Sequence, residues 1–133
     1  MEDKNTFDAQ RPIYVQLIER VKLRIVSGEY LPGEQIPSVR ELAESSGVNP
    51  NTMQKALAEL EREGLLSVQR TVGRFVTGDE DLITRLKAEL ADTHIIRFMR
   101  EMTALGINAG DAINLLQTYI NTHGGAVTSL PSA

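Results

Sequence analysis

The chain has no cysteine and no tryptophan, and only 5% of its 133 residues are aromatic. Without cysteine it can form neither disulfide bonds nor thiolate metal sites, and a reducing compartment is compatible with its composition. Because hydrophobic residues still make up 41% of the chain, the core must be aliphatic. The length suits one domain, or one small domain with an appendage.

Long apolar runs and an N-terminal targeting signal are also missing. No run reaches the ~20 apolar residues that a membrane-spanning helix requires. The N-terminal sequence MEDKNTFDAQ is acidic and polar, unlike a signal peptide. We therefore expect a soluble, cytoplasmic protein without a membrane partner.

There is no excess of basic residues either. The net charge is -4, whereas the footprint of a nucleic-acid-binding protein is usually basic. The imbalance lies mainly in residues 79–133, with 7 acidic and 4 basic side chains, while residues 1–78 carry 11 and 10. A polyanion responds to the local patch of charge and not to the sum. The composition therefore weakens a DNA-binding interpretation without excluding it.

Three short helices are predicted in the first half of the chain. The first has Pro12 at its first helical position and ends at Gly28, and residues 30–37 form a loop. The second begins after Ser38, which forms an S-x-x-E capping box with Glu41.

The third helix follows after only about three residues, which is the spacing of a helix-turn-helix. Asn49 is its N-cap and Pro50 its first helical residue. The runs LLSV and RFVTG, joined by the loop QRTVG, then predict a β-hairpin. Three helices and a hairpin describe a mainly α, winged helix-turn-helix fold.

Two longer helices are predicted after the hairpin, the last one capped near Asn108 and Asp111. They form a two-helix C-terminal segment. The expected organisation is a flexible arm (1–10), a winged helix-turn-helix (11–78), a helical hairpin (79–123) and a disordered tail (124–133).

The outer face of the third helix is polar and nearly free of carboxylates. Helical spacing places Asn51, Gln54, Lys55 and Ala58 opposite the apolar stripe of Met53, Ala56, Leu57 and Leu60. Amides can pair with an adenine edge, and lysine can reach guanine or a phosphate. The start of the helix also offers unpaired N–H groups to a phosphate. The alternative is an ordinary solvated helix face.

Three arginines surround this helix in the predicted fold. Arg70 and Arg74 flank the tip of the hairpin, which can approach a phosphate backbone or a minor groove. Arg40 faces outward from the second helix. The alternatives are solvated arginines in the hairpin and an ion pair between Arg40 and Glu44.

The segment IPSVRELAESSGVNPNTMQKALAELEREGLL, followed by GRFV, strongly resembles the DNA-binding domain of the GntR family of bacterial transcription regulators. The match covers about residues 11–78, and the short helical tail is similar to that of the YtrA subfamily. The resemblance implies that Ser38 and Thr52 contact phosphates and that Arg40 contacts a base. It also implies that the third helix lies in the major groove and the wing near the minor groove.

The chain departs from the family pattern at several positions. Pro50 and Gln54 stand where some members have arginine, so the operator cannot be copied from those relatives. The wing has Thr71 and Val72 where a glycine-rich tip is usual, and a left-handed tip is costly for threonine. Arg74 stands where threonine is common. The expected DNA-contacting residues are Ser38, Arg40, Asn49, Asn51, Thr52, Gln54, Lys55, Arg70, Thr71 and Arg74.

The two C-terminal helices carry more apolar surface than the pair can bury against itself. Such patches are rare on monomers, so we expect a homodimer that binds two half-sites of a palindromic operator. The expected interface residues are Leu82, Leu86, Leu90, Ile95, Phe98, Met99, Met102, Ile113, Leu116 and Ile120.

The sequence contains no catalytic constellation, and neither a metal nor a cofactor is expected. His94 and His123 are better explained as solvated or hydrogen-bonded side chains than as ligands. The predicted function is a sequence-specific repressor that occludes a promoter on double-stranded DNA. The alternatives are a protein-interaction module that uses the apolar tail, and a regulator that binds an unidentified small-molecule effector between the tail and the winged domain.

Overall fold

The computed structural model describes residues 6–128, with only the backbone for residues 125–128. Its elements are α1 (Ile13–Val26), α2 (Val39–Ser46), α3 (Pro50–Arg62), β1 (Leu66–Gln69), β2 (Gly73–Val76), α4 (Glu80–Ala104) and α5 (Ala109–Thr128). The chain divides into two compact units between Ala88 and Glu89. The predicted mainly α fold with an antiparallel hairpin is confirmed.

The core of the first unit is aliphatic, as the composition predicts. Both α1 and α2 pack against α3, and α3 also contacts β1. Burying each large aliphatic side chain contributes about 1.5–3 kcal/mol. Pro12 precedes the first helical residue with an extended backbone, so it is the N-cap of α1 and not its first residue. The main core side chains are Leu17, Val21, Ile25, Leu42, Met53, Leu57, Leu60, Leu66 and Val76.

The hairpin has a third, short partner that the sequence did not predict. Residues 33–36 were expected to be loop, but they run beside β2. The Ile36 N–H donates to the Arg74 carbonyl at 3.0 Å, and the Val76 N–H donates to the Glu34 carbonyl at 2.8 Å. Gln35 and Phe75 form the antiparallel bridge between these two bonds. As a result β2 is hydrogen-bonded on both of its edges.

The segment before α1 is attached to that helix. Gln16 is a buried polar side chain, 7% exposed. It accepts a hydrogen bond from the Asp8 N–H at 2.8 Å and donates to the carbonyls of Asp8 and Arg11. The guanidinium of Arg20 lies 3.9 Å from the centre of the Phe7 ring. Within the predicted flexible arm (1–10), Phe7 and Asp8 thus contact α1, while residues 1–5 lie outside the described residues.

The second unit consists of the rest of α4 and of α5, the two C-terminal helices that the sequence predicted. Gly106 has the positive φ of 80° that a helix-ending glycine adopts, and the Asn108 side chain caps α5 by accepting from the Asp111 N–H. The helix α5 is kinked at His123 and continues to Thr128. Of the predicted disordered tail (124–133), residues 124–128 belong to α5, and 129–133 lie outside the described residues. The boundary between the units falls ten residues later than predicted, because the start of α4 belongs to the first unit.

Candidate nucleic-acid interface

The turn between α2 and α3 is fixed by caps on both sides. Ser38 accepts a hydrogen bond from the Glu41 N–H, and the Glu41 carboxylate accepts one from the Ser38 N–H, so the predicted capping box is present. Both hydrogen bonds lower the pKa of the Glu41 carboxyl group, and the one from the Ser38 backbone has the larger effect.

The turn itself begins where Gly47 ends α2 in the left-handed conformation, at φ 69°. The Asn49 side chain then caps α3, which fixes the direction in which α3 leaves the turn.

The start of α3 has fewer available N–H groups than the sequence predicted. Pro50 has none. The N–H of Asn51 donates to the Asn49 side chain at 2.7 Å, and those of Thr52 and Met53 donate to the Asn49 carbonyl at 3.0 and 3.1 Å. The predicted phosphate site made of unpaired backbone donors is therefore wrong. The side-chain oxygen of Asn49 accepts from the Asn51 N–H, so its NH₂ group is the part of the side chain that can donate to a phosphate or a base.

The polar strip on the outer face of α3 is present as the helical spacing predicted. Asn51, Gln54, Lys55 and Ala58 are exposed, while the side chains of the apolar stripe are buried. Thr52 is half-buried at the edge of this strip. The first acidic residue along the helix is Glu59, and hydrogen bonds from Arg62 lower its pKa. Up to that point the strip exposes only amides, an ammonium group and a methyl group.

The cations around the strip are engaged to different degrees. The ammonium of Lys55 lies 3.8 Å from the centre of the Tyr14 ring on α1, a cation–π contact worth about 0.5–1 kcal/mol at an exposed site. Arg40 and Arg70 are exposed, and neither forms an ion pair with any residue between 6 and 128. The Arg40–Glu44 pair that the sequence offered as an alternative is not formed.

Arg74 does not extend from the wing. Its guanidinium forms a half-buried ion pair with Glu61 of α3, so a DNA contact would first require this pair to break. The pair disfavours the predicted DNA contact of Arg74. At the tip, Gln69 pairs with Gly73, which shortens the connection to Arg70, Thr71 and Val72.

The wing tip contains the backbone strain that the missing glycine predicted. Thr71 has φ 67° and is the one non-glycine residue with a positive φ among residues 6–128. Gln35, which no sequence pattern singles out, donates from its side-chain amide to the Val72 carbonyl at 2.9 Å. A single isolated bridge residue carries no periodicity that could indicate such a role.

The predicted dimer interface divides into two groups. Leu86 is only 6% exposed in the single chain, and Leu82 lies 3.8 Å from the position of a Cβ added at Gly64. Both belong to the first unit, so we assign them to its fold and withdraw them from the interface. In the second unit Ile95 and Ile113 are 56% and 64% exposed, and Leu116 and Ile120 are also exposed. The remaining predicted residues are half-buried: Leu90, Phe98, Met99 and Met102.

Within residues 6–128, no helix is long and apolar enough to cross a membrane. No three side chains among His, Asp and Glu in this range group closely enough to hold a metal ion. The two histidines have other surroundings: the His123 ring stacks on Tyr119 with the ring centres 4.3 Å apart, and His94 is exposed.

Known proteins share this arrangement of helices and wing. The family model described as bacterial regulatory proteins, gntR family, matches residues 13–76. The uncharacterized HTH-type transcriptional regulator YhcF of Bacillus subtilis (strain 168) is 35% identical over 121 residues, which are 91% of this chain and 98% of that protein. This chain belongs to the GntR family.

Other GntR-type proteins share parts of the chain or its fold. The HTH-type transcriptional repressor YtrA of Bacillus subtilis (strain 168) is 40% identical over 85 residues, 59% of this chain and 65% of that protein. A GntR family transcriptional regulator from Listeria monocytogenes superposes with a TM-score of 0.78 and 38% identity over 84% of this chain and 98% of that one. The AraR(DBD) in complex with operator ORE1 has a TM-score of 0.50 and 32% identity over 55% of this chain and 92% of that one. The first two carry the names of transcriptional regulators, and the third was solved with an operator.

Proposed function

We propose that this GntR-family regulator binds a palindromic operator as a homodimer and represses transcription by occluding the promoter. The observation that carries the proposal is the exposed, acid-free strip of α3, formed by Asn51, Gln54, Lys55 and Ala58. In a major groove the two amides can each make paired hydrogen bonds to adenine, and Ala58 permits a close approach. AraR(DBD), which shares this fold, was solved in complex with an operator, and this supports DNA binding by the present chain.

The charges around the strip favour a polyanion despite the net charge. The three glutamates near the C-terminal end of α3 each have a basic partner: Glu59 with Arg62, Glu61 with Arg74, and Glu63 with Lys22. Arg40 and Arg70 have no such partner among residues 6–128. The acids at the end of α3 are thus paired, while Arg40 and Arg70 keep their charges available to a polyanion. Ser38 and Thr52 would add phosphate contacts.

A selection of bound sequences from a random duplex pool tests the reading of bases. We expect enrichment of one palindrome and a steep fall of affinity with salt. The triple variant N51A/Q54A/K55A should lose discrimination among duplexes, at about 1–3 kcal/mol per lost bidentate pair. The matched control is K87A/Q117A/N121A, which removes the same three residue types from exposed positions on α4 and α5. If both variants discriminate among duplex sequences equally well, α3 is not the helix that reads the bases.

The homodimer rests on the exposed apolar side chains of the second unit. Besides the predicted residues, Ile96, Leu105, Leu115 and Tyr119 are exposed there. A patch of this kind on two helices is typical of an interface. A two-fold dimer would place two α3 helices on half-sites about one DNA turn apart, or a multiple of it.

Light scattering tests the dimer directly. The wild type should have twice the mass of the chain, and I113E should have the mass of one chain, because an unpaired carboxylate is costly to bury in an apolar interface. T84E adds the same charge at an exposed position of the first unit and should stay dimeric. A wild-type monomer at micromolar concentration would refute the proposal. If I113E kept its preference for the selected duplex but no longer bound a different protein, the exposed apolar side chains of the second unit would serve protein interaction, the alternative to a homodimer.

Repression and membership of the YtrA subfamily are the finer parts of the proposal. They are supported by the similarity to the repressor YtrA and by YhcF, whose length this chain almost fully spans. A reporter gene behind the selected operator tests the sign of regulation in the bacterial cytoplasm: deleting the gene for this protein should raise expression. The small-molecule effector stays a prediction of the sequence, and thermal-shift screening tests it.

A further inference from the structure

The backbone around the wing leads from the start of α2 directly to the wing tip. Residues 33–36 lie beside β2, with hydrogen bonds at Ile36 and Val76 on the two sides of Gln35. Three residues after Gln35, Ser38 caps α2. The segment that begins α2 is therefore the same one that borders the wing.

The side chain of Gln35 extends this contact to the tip. Its Nε2 atom donates to the Val72 carbonyl at 2.9 Å. The same atom would lie 2.7 Å from a Cβ at Gly73, which is closer than non-bonded atoms approach. A Cβ at position 73 would therefore displace this amide, so the Gln35 hydrogen bond in its present geometry depends on glycine at 73.

The tip needs such a contact because its own conformation is unfavourable. Thr71 is β-branched and has φ 67°, a conformation that persists where surrounding structure holds it. The Val72 N–H donates to the Gln69 carbonyl at 3.0 Å across the turn. The Val72 carbonyl in turn accepts the hydrogen bond from Gln35. Arg70, the exposed cation of the wing, directly precedes the strained residue.

We propose that Gln35 is a positioning residue for the wing: its amide holds the tip so that Arg70 lies where it can contact the DNA backbone beside the groove read by α3. Gln35 itself does not touch DNA. This inference rests on the proposed function, since it concerns the contact that the wing makes with DNA in the complex in which α3 reads the bases.

The test compares Q35M with Q69M in the full-length protein, on the duplex that the wild type selects. Methionine keeps the length of the side chain but cannot donate the hydrogen bond. Gln69 is an exposed glutamine at the other side of the tip, and its side chain makes no hydrogen bond within residues 6–128, so Q69M is the matched control. We expect Q35M to bind about ten-fold more weakly near 0.1 M salt, with Q69M close to wild type.

Two readouts separate positioning from general loss of structure. The slope of log affinity against log salt should become shallower by about 0.9 for each phosphate that Arg70 of a protomer no longer neutralises. In an R70A background Q35M should have no further effect, because both changes remove the same interaction with DNA. The preference for bases read by α3 should be unchanged.

Each other result overturns the inference. A wild-type salt slope in Q35M, or effects of Q35M and R70A that add, would show that Gln35 does not act through Arg70. If circular dichroism shows Q35M to be unfolded at the assay temperature, Gln35 is a residue of the fold and not of the wing's position. If the wild type selects no duplex, the proposed function itself fails, which is a different result from wild-type binding with an unaffected Q35M.

Discussion

Replacing Thr71 by glycine should stabilise the protein. Threonine at φ 67° carries the steric penalty of the left-handed region, about 1–2 kcal/mol for a residue with a Cβ. Glycine has no such penalty, but it raises the entropy of the unfolded chain, which offsets about 0.4–1 kcal/mol of the gain. The middle of the two ranges gives T71G a free energy of unfolding higher by about 0.8 kcal/mol.

Urea denaturation at fixed protein concentration measures this change. With a slope of about 2 kcal/mol/M, the midpoint should rise by about 0.3–0.5 M and the slope should stay the same. T71N should lie between the wild type and T71G, since asparagine tolerates the left-handed region better than threonine does.

The matched control is V72G, at the neighbouring tip position. Val72 is 54% exposed and its φ is not positive, so glycine there brings the entropic cost without relief of strain. V72G should lower the midpoint. If T71G lowers it as V72G does, the left-handed conformation of Thr71 stores no strain, and the argument that the tip needs an external hydrogen bond loses its basis.

Two further predictions concern the cap of α2 and the arginines of the wing. S38A should destabilise the protein by about 1 kcal/mol in the same urea assay. The pKa of Glu41 is lowered in the folded state. The stabilisation from the capping box is therefore present above the ordinary pKa of glutamate and is lost as the pH falls through the folded-state pKa. E41Q should remove this part of the pH dependence of the urea midpoint. R70M should reduce the salt slope of DNA binding, whereas R74M should leave it unchanged and instead lower the urea midpoint, since Arg74 is paired with Glu61. An equal effect of both arginine variants on the salt slope would contradict this division.

The features that the sequence predicted well are those in which partners are near each other along the chain. The capping box joins Ser38 and Glu41, three residues apart, and the cap of α3 joins Asn49 and Asn51. The exposed strip of α3 follows from helical periodicity over two turns. Such signals are local, so a linear pattern contains them completely.

The features that the sequence missed depend on contacts between distant segments. Gln35 and Val72 are 37 residues apart, and Arg74 and Glu61 are 13 apart. No periodicity relates these positions, and only the folded chain shows that Arg74 turns toward α3 while Arg70 does not. The unpaired N–H groups expected at the start of α3 were a local prediction that failed, because one residue, Asn49, accepts from three successive donors through its side chain and its carbonyl.

The intramolecular ion pairs explain how a chain with a net charge of -4 can serve a DNA-binding role. Each pair at the end of α3 neutralises one acid, and it also holds one cation that would otherwise face solvent. The cations left near the strip are Arg40, Lys55 and Arg70, of which Lys55 rests on Tyr14. Counterion release depends on the number of phosphates that such side chains neutralise, and distant charges are screened beyond about 10 Å at 0.1 M salt. The salt dependence of operator binding should therefore follow these few side chains and their copies in a second protomer.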